Sequence, residues 1–258
     1  MKVLVACEES QEVCKAFRER GHEAYSCDLV PCSGGHPEWH VQADALELIK
    51  LKWDLIIAHP PCTYMSAAGA CRMYPKAGQI DNERFIKALE AKVFFLEILN
   101  ADCPRICIEN PRPLKCVGLP KETQRIQPYE YGEPWSKLTY LWLKGLPPLV
   151  PTQIVSDYKP YVSCGTSRNK GNPDKSGMSR SGGAQKVRSR TFPGIAKAMG
   201  DQWGRLGNDR GYHDANRPAL AEWVAVDECM SFCSNCFGLG CGTPYCPSCG
   251  SKMLGVDE

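Results

Sequence analysis

A cysteine and a glutamate each follow a short apolar segment of this chain, and together they could do chemistry. Cys62 comes after residues 53–58 and two prolines, and Glu109 comes after residues 105–108. Both segments are predicted to be buried strands. Because catalytic groups collect at the carboxyl ends of strands in an open parallel sheet, we expect the thiol and the carboxyl to share one edge. A thiol beside a carboxyl is typical of a nucleophile working with an acid.

Each of these residues also has a structural explanation. Cys62 could be one more buried thiol beside a rigid Pro-Pro turn, and Glu109 could cap a helix or pair with Arg112. Taken alone, the thiol favours the structural explanation because cysteine is among the most buried residue types. The common position after a strand favours function for the pair.

Strands and helices alternate around these residues. Strands are predicted over residues 2–6, 23–27, 53–58 and 105–108, and helices over residues 11–20, 82–100 and 193–203. The alternation indicates an α/β fold with a Rossmann-like, mainly parallel, doubly wound sheet. Proline at position 193 suits the first turn of a helix.

Length and composition fit one catalytic domain with a small addition. The chain has 258 residues, 16 cysteines and a net charge of +2. No apolar run reaches the roughly 18 residues that a transmembrane helix needs, and the first residues lack the zones of a signal peptide. Most cysteines lie singly in apolar segments, as in reduced proteins. We therefore expect a soluble intracellular protein without a membrane partner.

Two Cys-x-x-Cys pairs near the end of the chain predict a separate metal module. The four thiols are those of Cys233, Cys236, Cys246 and Cys249. Four thiolates at this spacing are typical of a structural zinc ribbon, which we place at residues 227–258 after a linker at 204–226. Cys229 and Cys241 could replace a ligand or stay free.

Residues 1–203 resemble DNA cytosine-5 methyltransferases. The phrases ACEESQ (residues 6–11), CSGGHPEW (32–39) and LWLKGLPP (141–148) are similar to the compact phage and prophage branch of that family. The family's Pro-Cys nucleophile falls on Cys62, and its Glu-Asn-Val motif falls on Glu109-Asn110-Pro111. The resemblance implies a class I S-adenosylmethionine-dependent methyltransferase that acts on double-stranded DNA in the cytoplasm of a bacterial host cell.

The chemistry of this family explains both residue types. Cytosine C5 takes a methyl group only after a nucleophile has added to C6, and a thiolate such as that of Cys62 suits this addition. A carboxylic acid hydrogen-bonded at N3 can neutralise the charge that develops on the ring. We expect Glu109 to be held partly protonated by a shielded site for this role.

The implied cofactor site uses the turn after the first strand and acidic residues that end the second and third strands. The predicted cofactor residues are Ala6, Cys7, Glu8, Ser10, Asp28, Leu29, Asp44, Ala45 and Pro61. The family's turn is rich in glycine, whereas here side chains occupy the space where backbone approaches the ligand. Asp28 and Asp44 could instead be simple loop or helix-start residues.

The predicted substrate residues include two cations from the end of the recognition segment. Tyr131-Gly132-Glu133-Pro134 fits the frame of a family motif in which two arginines follow, but this chain has Lys137 and Thr139 at those positions. A threonine cannot grip the cytosine carbonyl as an arginine fork does, so another cation is needed there, and Arg188 and Arg190 are the candidates. The predicted substrate-binding set is Thr63, Asn110, Lys137, Arg188 and Arg190.

Residues 144–190 replace the larger recognition domain of the family and are rich in basic residues. The cations of its second half are Arg168, Lys170, Lys175, Arg180, Lys186, Arg188 and Arg190. This composition favours phosphate contacts to DNA over a solvated loop. Cys32, His36 and His40 form a smaller group that could bind metal, although a loop covering the cofactor, with ordinary hydrogen bonds from the histidines, is the favoured interpretation.

Two competing functions stay open. RNA cytosine, or a modified one-carbon group, could be the substrate or donor on the same scaffold, and the irregular turn at residues 7–10 favours this. A catalytically weak DNA-binding homologue is the other possibility, favoured by Thr139 and the short recognition segment. Cys62 and Glu109 argue against a loss of catalysis.

The zinc ribbon can be tested by metal analysis. We expect the purified full chain to carry about one equivalent of zinc bound to sulfur. Cys246→Ser should lower the zinc content, whereas Cys116→Ser, outside both Cys-x-x-Cys pairs, should leave it unchanged. Elemental analysis of folded protein measures both. A folded wild-type chain without zinc would contradict the prediction.

Overall fold

The structure is a computed structural model that describes residues 1–161 and 190–207, together with the backbone of five short strands beyond residue 219. The strands of the first part are β1 (Lys2–Ala6), β2 (Glu23–Asp28), β3 (His40–Gln42), β4 (Leu55–Ala58), β5 (Ile106–Pro111), β6 (Gln124–Ile126), β7 (Trp135–Ser136), β8 (Thr139–Lys144) and β9 (Lys159–Pro160). The helices are α1 (Glu12–Arg18), α2 (Ala45–Leu48), α3 (Ala70–Met73), α4 (Asn82–Leu99) and α5 (Pro193–Trp203).

The later short strands form two small sheets of their own. They are β10 (Leu220–Ala221), β11 (Trp223–Ala225), β12 (Ser231–Cys233), β13 (Leu239–Gly240) and β14 (Lys252–Met253). β10 pairs with β14 in parallel, and β11, β12 and β13 form an antiparallel sheet. Apart from Cys233, whose backbone lies in β12, the predicted zinc ligands are outside the described residues, and the zinc ribbon stays a prediction.

Seven strands form the central sheet in the order β3-β2-β1-β4-β5-β8-β6. β3, β2, β1, β4 and β5 pair in parallel, and β8 is antiparallel to both β5 and β6. The chain winds from β1 towards β3 and then returns to β4 on the other side of β1. This reversal creates a switch point between β1 and β4, where open α/β sheets bind ligands. The predicted α/β, Rossmann-like, mainly parallel fold is confirmed.

Two apolar layers cover the sheet, one on each face. Val3 and Val5 of β1 belong to the layer that includes α1 and α5, whereas Leu4 and Ala6 belong to the layer that includes α4. This alternation shows why β1 is apolar throughout, because both of its faces are buried. Full burial of a side chain such as Leu4 stabilises the fold by about 1.5–3 kcal/mol.

Most predicted elements lie where the sequence placed them. β1 and α5 have the predicted bounds, and α4 ends one residue early, at Leu99. Asp81 begins α4 because its side chain accepts a hydrogen bond from the Arg84 amide at 2.8 Å. The predicted strand over 53–58 begins only at Leu55.

The antiparallel strand β8 was not predicted. Its residues 140–143 are buried, so the segment reads as a continuous apolar run like its parallel neighbours. A strand covered on both faces shows no alternation of apolar and polar residues, so periodicity does not distinguish it from a short segment of buried helix. Among the helices of the described part, none is long and apolar enough to cross a membrane.

Two glycines with similar backbone angles allow a matched test of the packing after β8. Gly145 has φ +61° and Gly78 has φ +73°. A Cβ at Gly145 would lie 2.1 Å from the Pro104 carbonyl oxygen, whereas one at Gly78 would have no neighbour within 4 Å. Gly78→Ala should therefore cost about 1–2 kcal/mol for its left-handed backbone. Gly145→Ala should cost about 2–4 kcal/mol, because overpacking adds to the same strain.

Urea unfolding of the two variants and the wild type measures this difference. Equal losses of unfolding free energy would show that the contact after β8 relaxes without cost.

Candidate active site

The candidate site lies at the switch point, where the loops after β1 and β4 leave the same edge of the sheet. The backbone N–H of His59 donates to the Ala6 carbonyl at 3.0 Å, which joins the two loops. The N–H of Glu8 donates to the carbonyl of Cys27 at 3.0 Å and extends the connection to β2. The site is therefore anchored by backbone hydrogen bonds on three parallel strands.

Cys62 lies in the loop after β4 and is partly buried. Its carbonyl accepts hydrogen bonds from the N–H groups of Met65 and Ser66, at 3.2 and 2.9 Å, so a tight turn holds it. Burial raises the pKa of the Cys62 thiol, the charge of Lys137 lowers it, and Glu109 raises it further. The net pKa lies above that of an ordinary thiol, so Lys137 offsets only part of the effect of burial.

Glu109 lies inside β5 and not after it. The strand continues to Pro111, and Glu109 is directly opposite Leu141 of β8. The predicted end at residue 108 was wrong because pairing with the unpredicted β8 extends β5. Glu109 is therefore held by its pairing with β8, one residue beyond the last pair of β5 with β4, and its side chain is 10% exposed.

The Glu109 carboxylate has two side-chain partners. His59 Nδ1 lies 3.1 Å from Glu109 Oε2, and the Thr191 hydroxyl donates to the same oxygen at 3.0 Å. Burial alone would raise the pKa of Glu109, but the hydrogen bond and charge of His59, with Lys137 and Thr191, lower it to about 2. The expectation of a partly protonated Glu109 was therefore wrong for the free protein, and its partner is His59 rather than Arg112.

His59 and Thr191 were missed by the sequence analysis. His59 directly precedes the Pro-Pro-Cys segment, and this position at a strand end was the available signal. Thr191 lies two residues before α5, where the sequence analysis considered only arginines. Nothing in the local sequence links it to a glutamate 82 positions earlier.

The turn after β1 keeps a glycine-like backbone without glycine. Cys7 has φ +58° and Gln11 has φ +60°, both in the left-handed region that L residues rarely adopt. The carboxylate of Glu8 turns inwards and accepts hydrogen bonds from the amides of Val13 and Cys14, at 2.7 and 3.2 Å, at the start of α1. Burial raises the pKa of Glu8 although His59 and these amides lower it. The turn is thus stabilised by its own side chains.

Two adjoining cavities open at this turn. The first, of about 200 Å³, is lined by Cys7, Glu8, Glu9, Ser10, Asp28, His59, Pro61, Arg190 and Thr191. The second, of about 170 Å³, is lined by Cys7, Asp28, Leu29, Ala43, Asp44, Ala45, Pro61, Ala91 and Phe94. All predicted cofactor residues except Ala6, which is buried in β1, line one of these cavities. Their role towards a cofactor stays a prediction.

The donor set of the cavities fits S-adenosylmethionine. Leu29, Ala45 and Phe94 give the second cavity an apolar wall that suits an adenine ring. Asp28 and Asp44 lie beside it and could accept from ribose hydroxyls or an adenine amine. Each carboxylate also has a structural role, since Asp28 accepts from the Val30 amide and Asp44 caps α2 through the Leu46 amide.

Among the predicted substrate residues, Lys137 lies beside the reactive groups. Its charge lowers the pKa of both Cys62 and Glu109, and its Nζ is 5.6 Å from the centre of the Phe192 ring. Thr139, at the second position of the arginine motif, is buried in β8, and its hydroxyl donates to the Lys137 carbonyl at 3.1 Å. Thr139 therefore helps to hold the backbone that carries the cation.

The remaining predicted substrate residues are dispersed. Asn110 is buried and donates to the Pro60 carbonyl at 3.4 Å, which braces the loop that carries the cysteine. Thr63 is exposed. Arg190 lines the first cavity and donates to the Ser33 hydroxyl at 3.4 Å. Arg188 lies outside the described residues, as do residues 162–189 of the basic segment.

The loop with Cys32, His36 and His40 makes ordinary contacts. His40 Nδ1 lies 2.9 Å from the Ser26 hydroxyl, the His36 ring stacks on Trp39, and the Cys32 thiol donates to the Gln11 side chain. Within residues 1–161 and 190–207, no three His, Cys, Asp or Glu side chains are grouped as for a metal ion. The favoured hydrogen-bonding role of the histidines agrees with these contacts.

Comparisons with known proteins contribute little to this site. No family model matches the chain, and no curated protein matches it. One solved structure that is similar, from E. coli, is described as a candidate DNA modification methyltransferase encoded within a prophage. The identity is 14% and the TM-score 0.37, over 67% of this chain and 55% of that chain. This chain thus spans about half of that chain, and a likeness this low carries no argument about function.

The effect of the Lys137 charge on the pKa of Cys62 can be tested by alkylation of the thiol. The thiolate is the form that reacts, so a higher thiol pKa slows alkylation at fixed pH. Lys137→Met should raise that pKa and slow the reaction with iodoacetamide by roughly 3–10-fold at pH 8. Lys121→Met, which removes an exposed lysine, is the matched control.

Peptide mass spectrometry separates Cys62 from the other cysteines in this assay. An unchanged rate in Lys137→Met would show that the lysine charge does not reach the thiol.

Proposed function

We propose that the protein transfers a methyl group from S-adenosylmethionine to C5 of cytosine in DNA, with Cys62 as the nucleophile. One observation carries the proposal: the Cys62 loop follows β4 at the switch point, the nearly buried Glu109 lies on the adjacent β5, and the charge of Lys137 acts on both. The cavities that could hold the donor share Pro61 with this loop.

The three side chains have distinct roles in this reaction. The Cys62 thiolate adds to C6 of the base and makes C5 nucleophilic. Glu109 would contact the N3 edge of the same ring, and Lys137 would stabilise negative charge that develops near the sulfur and the ring. Because the Cys62 thiol is largely protonated in the free protein, this charge is most useful when the base binds.

The donor would occupy the two cavities beside the Cys62 loop. When bound, S-adenosylmethionine supplies an electrophilic methyl group. Asp28 and Asp44 would orient its ribose and adenine, Phe94 would pack on the ring, and Arg190 would pair with its carboxylate. Cys7 keeps the turn in the backbone conformation that a glycine would adopt, so the side chain there does not change the shape of the turn.

DNA is the proposed substrate, and its cytosine would have to leave the duplex to enter the site. Cys62 is only partly exposed, and a cytosine inside a duplex could not bring C6 to its sulfur. The basic residues of the segment at 162–189 would contact the phosphates on either side. RNA cytosine is the alternative substrate, since an unpaired base would enter the same site without extrusion.

Mass spectrometry of nucleosides tests product, substrate and nucleophile together. DNA and RNA are isolated from cells that express the wild type, Cys62→Ser or Cys71→Ser, an exposed cysteine serving as the matched control. We expect 5-methylcytosine in DNA from the wild type and Cys71→Ser, and none above background with Cys62→Ser, because an alcohol is a far weaker nucleophile.

Three other results would change the proposal. 5-Methylcytosine confined to RNA would favour the alternative substrate, and a different modified base would favour another one-carbon donor. No modification with any variant would favour a DNA-binding homologue without catalysis.

A further inference from the structure

His59, whose side chain is 12% exposed, lies between two carboxyl groups that belong to different parts of the site. Its Nδ1 lies 3.1 Å from Glu109 Oε2 on β5, and the charge of the buried Glu8, after β1, also acts on it. Its Nε2 is buried and has no hydrogen-bond partner in the described part of the chain. His59 lines the first cavity, so a ligand there could supply an acceptor for that nitrogen.

The oxygens of Glu109 are not equivalent. Oε2 is in contact with both His59 and Thr191, whereas Oε1 accepts no hydrogen bond from the described residues. Thr191 can donate only one proton and has no charge to transfer, so of these two partners only the imidazole can exchange a proton with the carboxylate. A carboxylate that accepts two such contacts is stabilised in its ionised form.

An ionised Glu109 cannot neutralise N3 of a cytosine by itself. N3 of the neutral base is an acceptor and needs a proton as Cys62 adds to C6. The proton must therefore be held close to Glu109 before the reaction, and the imidazole of His59 is the titratable group in direct contact with that carboxylate.

We propose that His59 is a positioning residue that holds the proton for Glu109. N3 of the cytosine then receives its proton from the His59–Glu109 pair rather than from the carboxyl group alone. This inference rests on the proposed function. It adds a residue that acts through Glu109 and does not itself touch the base.

The Cys62 thiol first gives its proton to water. The thiolate sulfur then forms the S–C6 bond, the C5–C6 π electrons form the C4–C5 double bond, and the C4–N3 π electrons bind a proton at N3. That proton comes from Glu109, which takes it from His59 Nδ1 and leaves a neutral imidazole. The C4–C5 π electrons next bind the methyl group and the C4–N3 double bond re-forms, while the donor's sulfur keeps the electrons of the broken S–CH3 bond and leaves as a thioether. Water then takes the C5 proton, the electrons of that C–H bond re-form the C5–C6 double bond, and the thiolate leaves C6 and takes a proton from water. The N3 proton returns through Glu109 to His59.

The surrounding charges favour this arrangement on balance. Burial lowers the pKa of His59, the hydrogen bond and charge of Glu109 and the charge of Glu8 raise it, and Lys137 lowers it, with a net rise. The other titratable or charged groups that share the first cavity with His59 are Cys7, Glu9, Asp28 and Arg190. The pair should therefore lose its shared proton as the pH rises through the raised pKa of His59.

Histidine NMR on the full chain tests the protonation state without any need for turnover. The chain has five histidines, and His59→Gln identifies the signal of this one in ¹⁵N-histidine spectra. We expect both ring nitrogens of His59 to be protonated at pH 7 in the wild type. Glu109→Gln should move the titration midpoint to lower pH. A neutral His59 at pH 7 in the wild type would overturn the proposal.

The pH profile of methylation separates proton holding from simple bracing. In His59→Gln, Glu109 must take its proton from solvent, so the alkaline limb of kcat/KM should move to lower pH. Activity at pH 8 should fall by about 10²–10⁴-fold and recover in part on acidification. His22→Gln, which makes the same change at a histidine beside the N-terminus of the chain, should keep the wild-type limb. An equal loss at every pH in His59→Gln would show a structural role and overturn the proposal.

Two further results keep the outcomes distinguishable. If His59→Gln fails to fold, Glu8→Gln, which retains an acceptor for the α1 amides, should give a smaller shift of the limb in the same direction, and no shift would count against the proposal. If the wild type methylates no nucleic acid while His59 is protonated as expected, the proposed function fails and the proton-holding pair stands.

Discussion

The parallel pairing of β1 with β4 is the constraint on which the site depends. The chain leaves β1 in one direction along the sheet and returns to β4 from the other, so the loops that follow these strands meet at one edge. The hydrogen bond between His59 and Ala6 fixes their distance. Each side chain of the site is then positioned by the strand or loop that carries it. A shift of one residue in this register would turn the site-bearing side chains to the other face.

The elements that were predicted correctly are those whose own residues carry a local signal. β1 is a continuous apolar run, α4 has an aspartate at its start, and α5 begins with a proline, so each carries its own signal. Every predicted cofactor residue except Ala6 lines a cavity, because these positions follow from strand ends. Of the other lining residues, His59, Phe94 and Thr191 were not predicted. β8 was missed because a short apolar run does not by itself distinguish a strand from a buried helix, and β8, unlike β1, lies outside the predicted alternation of strands and helices.

The ionisation of Glu109 could not be predicted from its own surroundings in the sequence. Burial alone raises the pKa of a carboxyl group, and this was the basis for expecting an acid. The fold instead brings an imidazole from β4's loop and a hydroxyl from the segment before α5 to one carboxylate oxygen. These partners are 50 and 82 positions away, so only the tertiary structure could reveal which effect is larger.

The turn after β1 carries acidic residues at the edge of the sheet where the site lies. Acidic side chains beside the proposed donor site would repel the donor's carboxylate if they pointed towards it. Glu8 avoids this because its carboxylate accepts two amide hydrogen bonds at the start of α1, where the helix dipole also favours negative charge. Glu8, the residue after Cys7 in this turn, thus stabilises a helix, and its charge also acts on His59. The carboxylate of Glu8 in this turn therefore connects the first helix electrostatically to the His59–Glu109 pair.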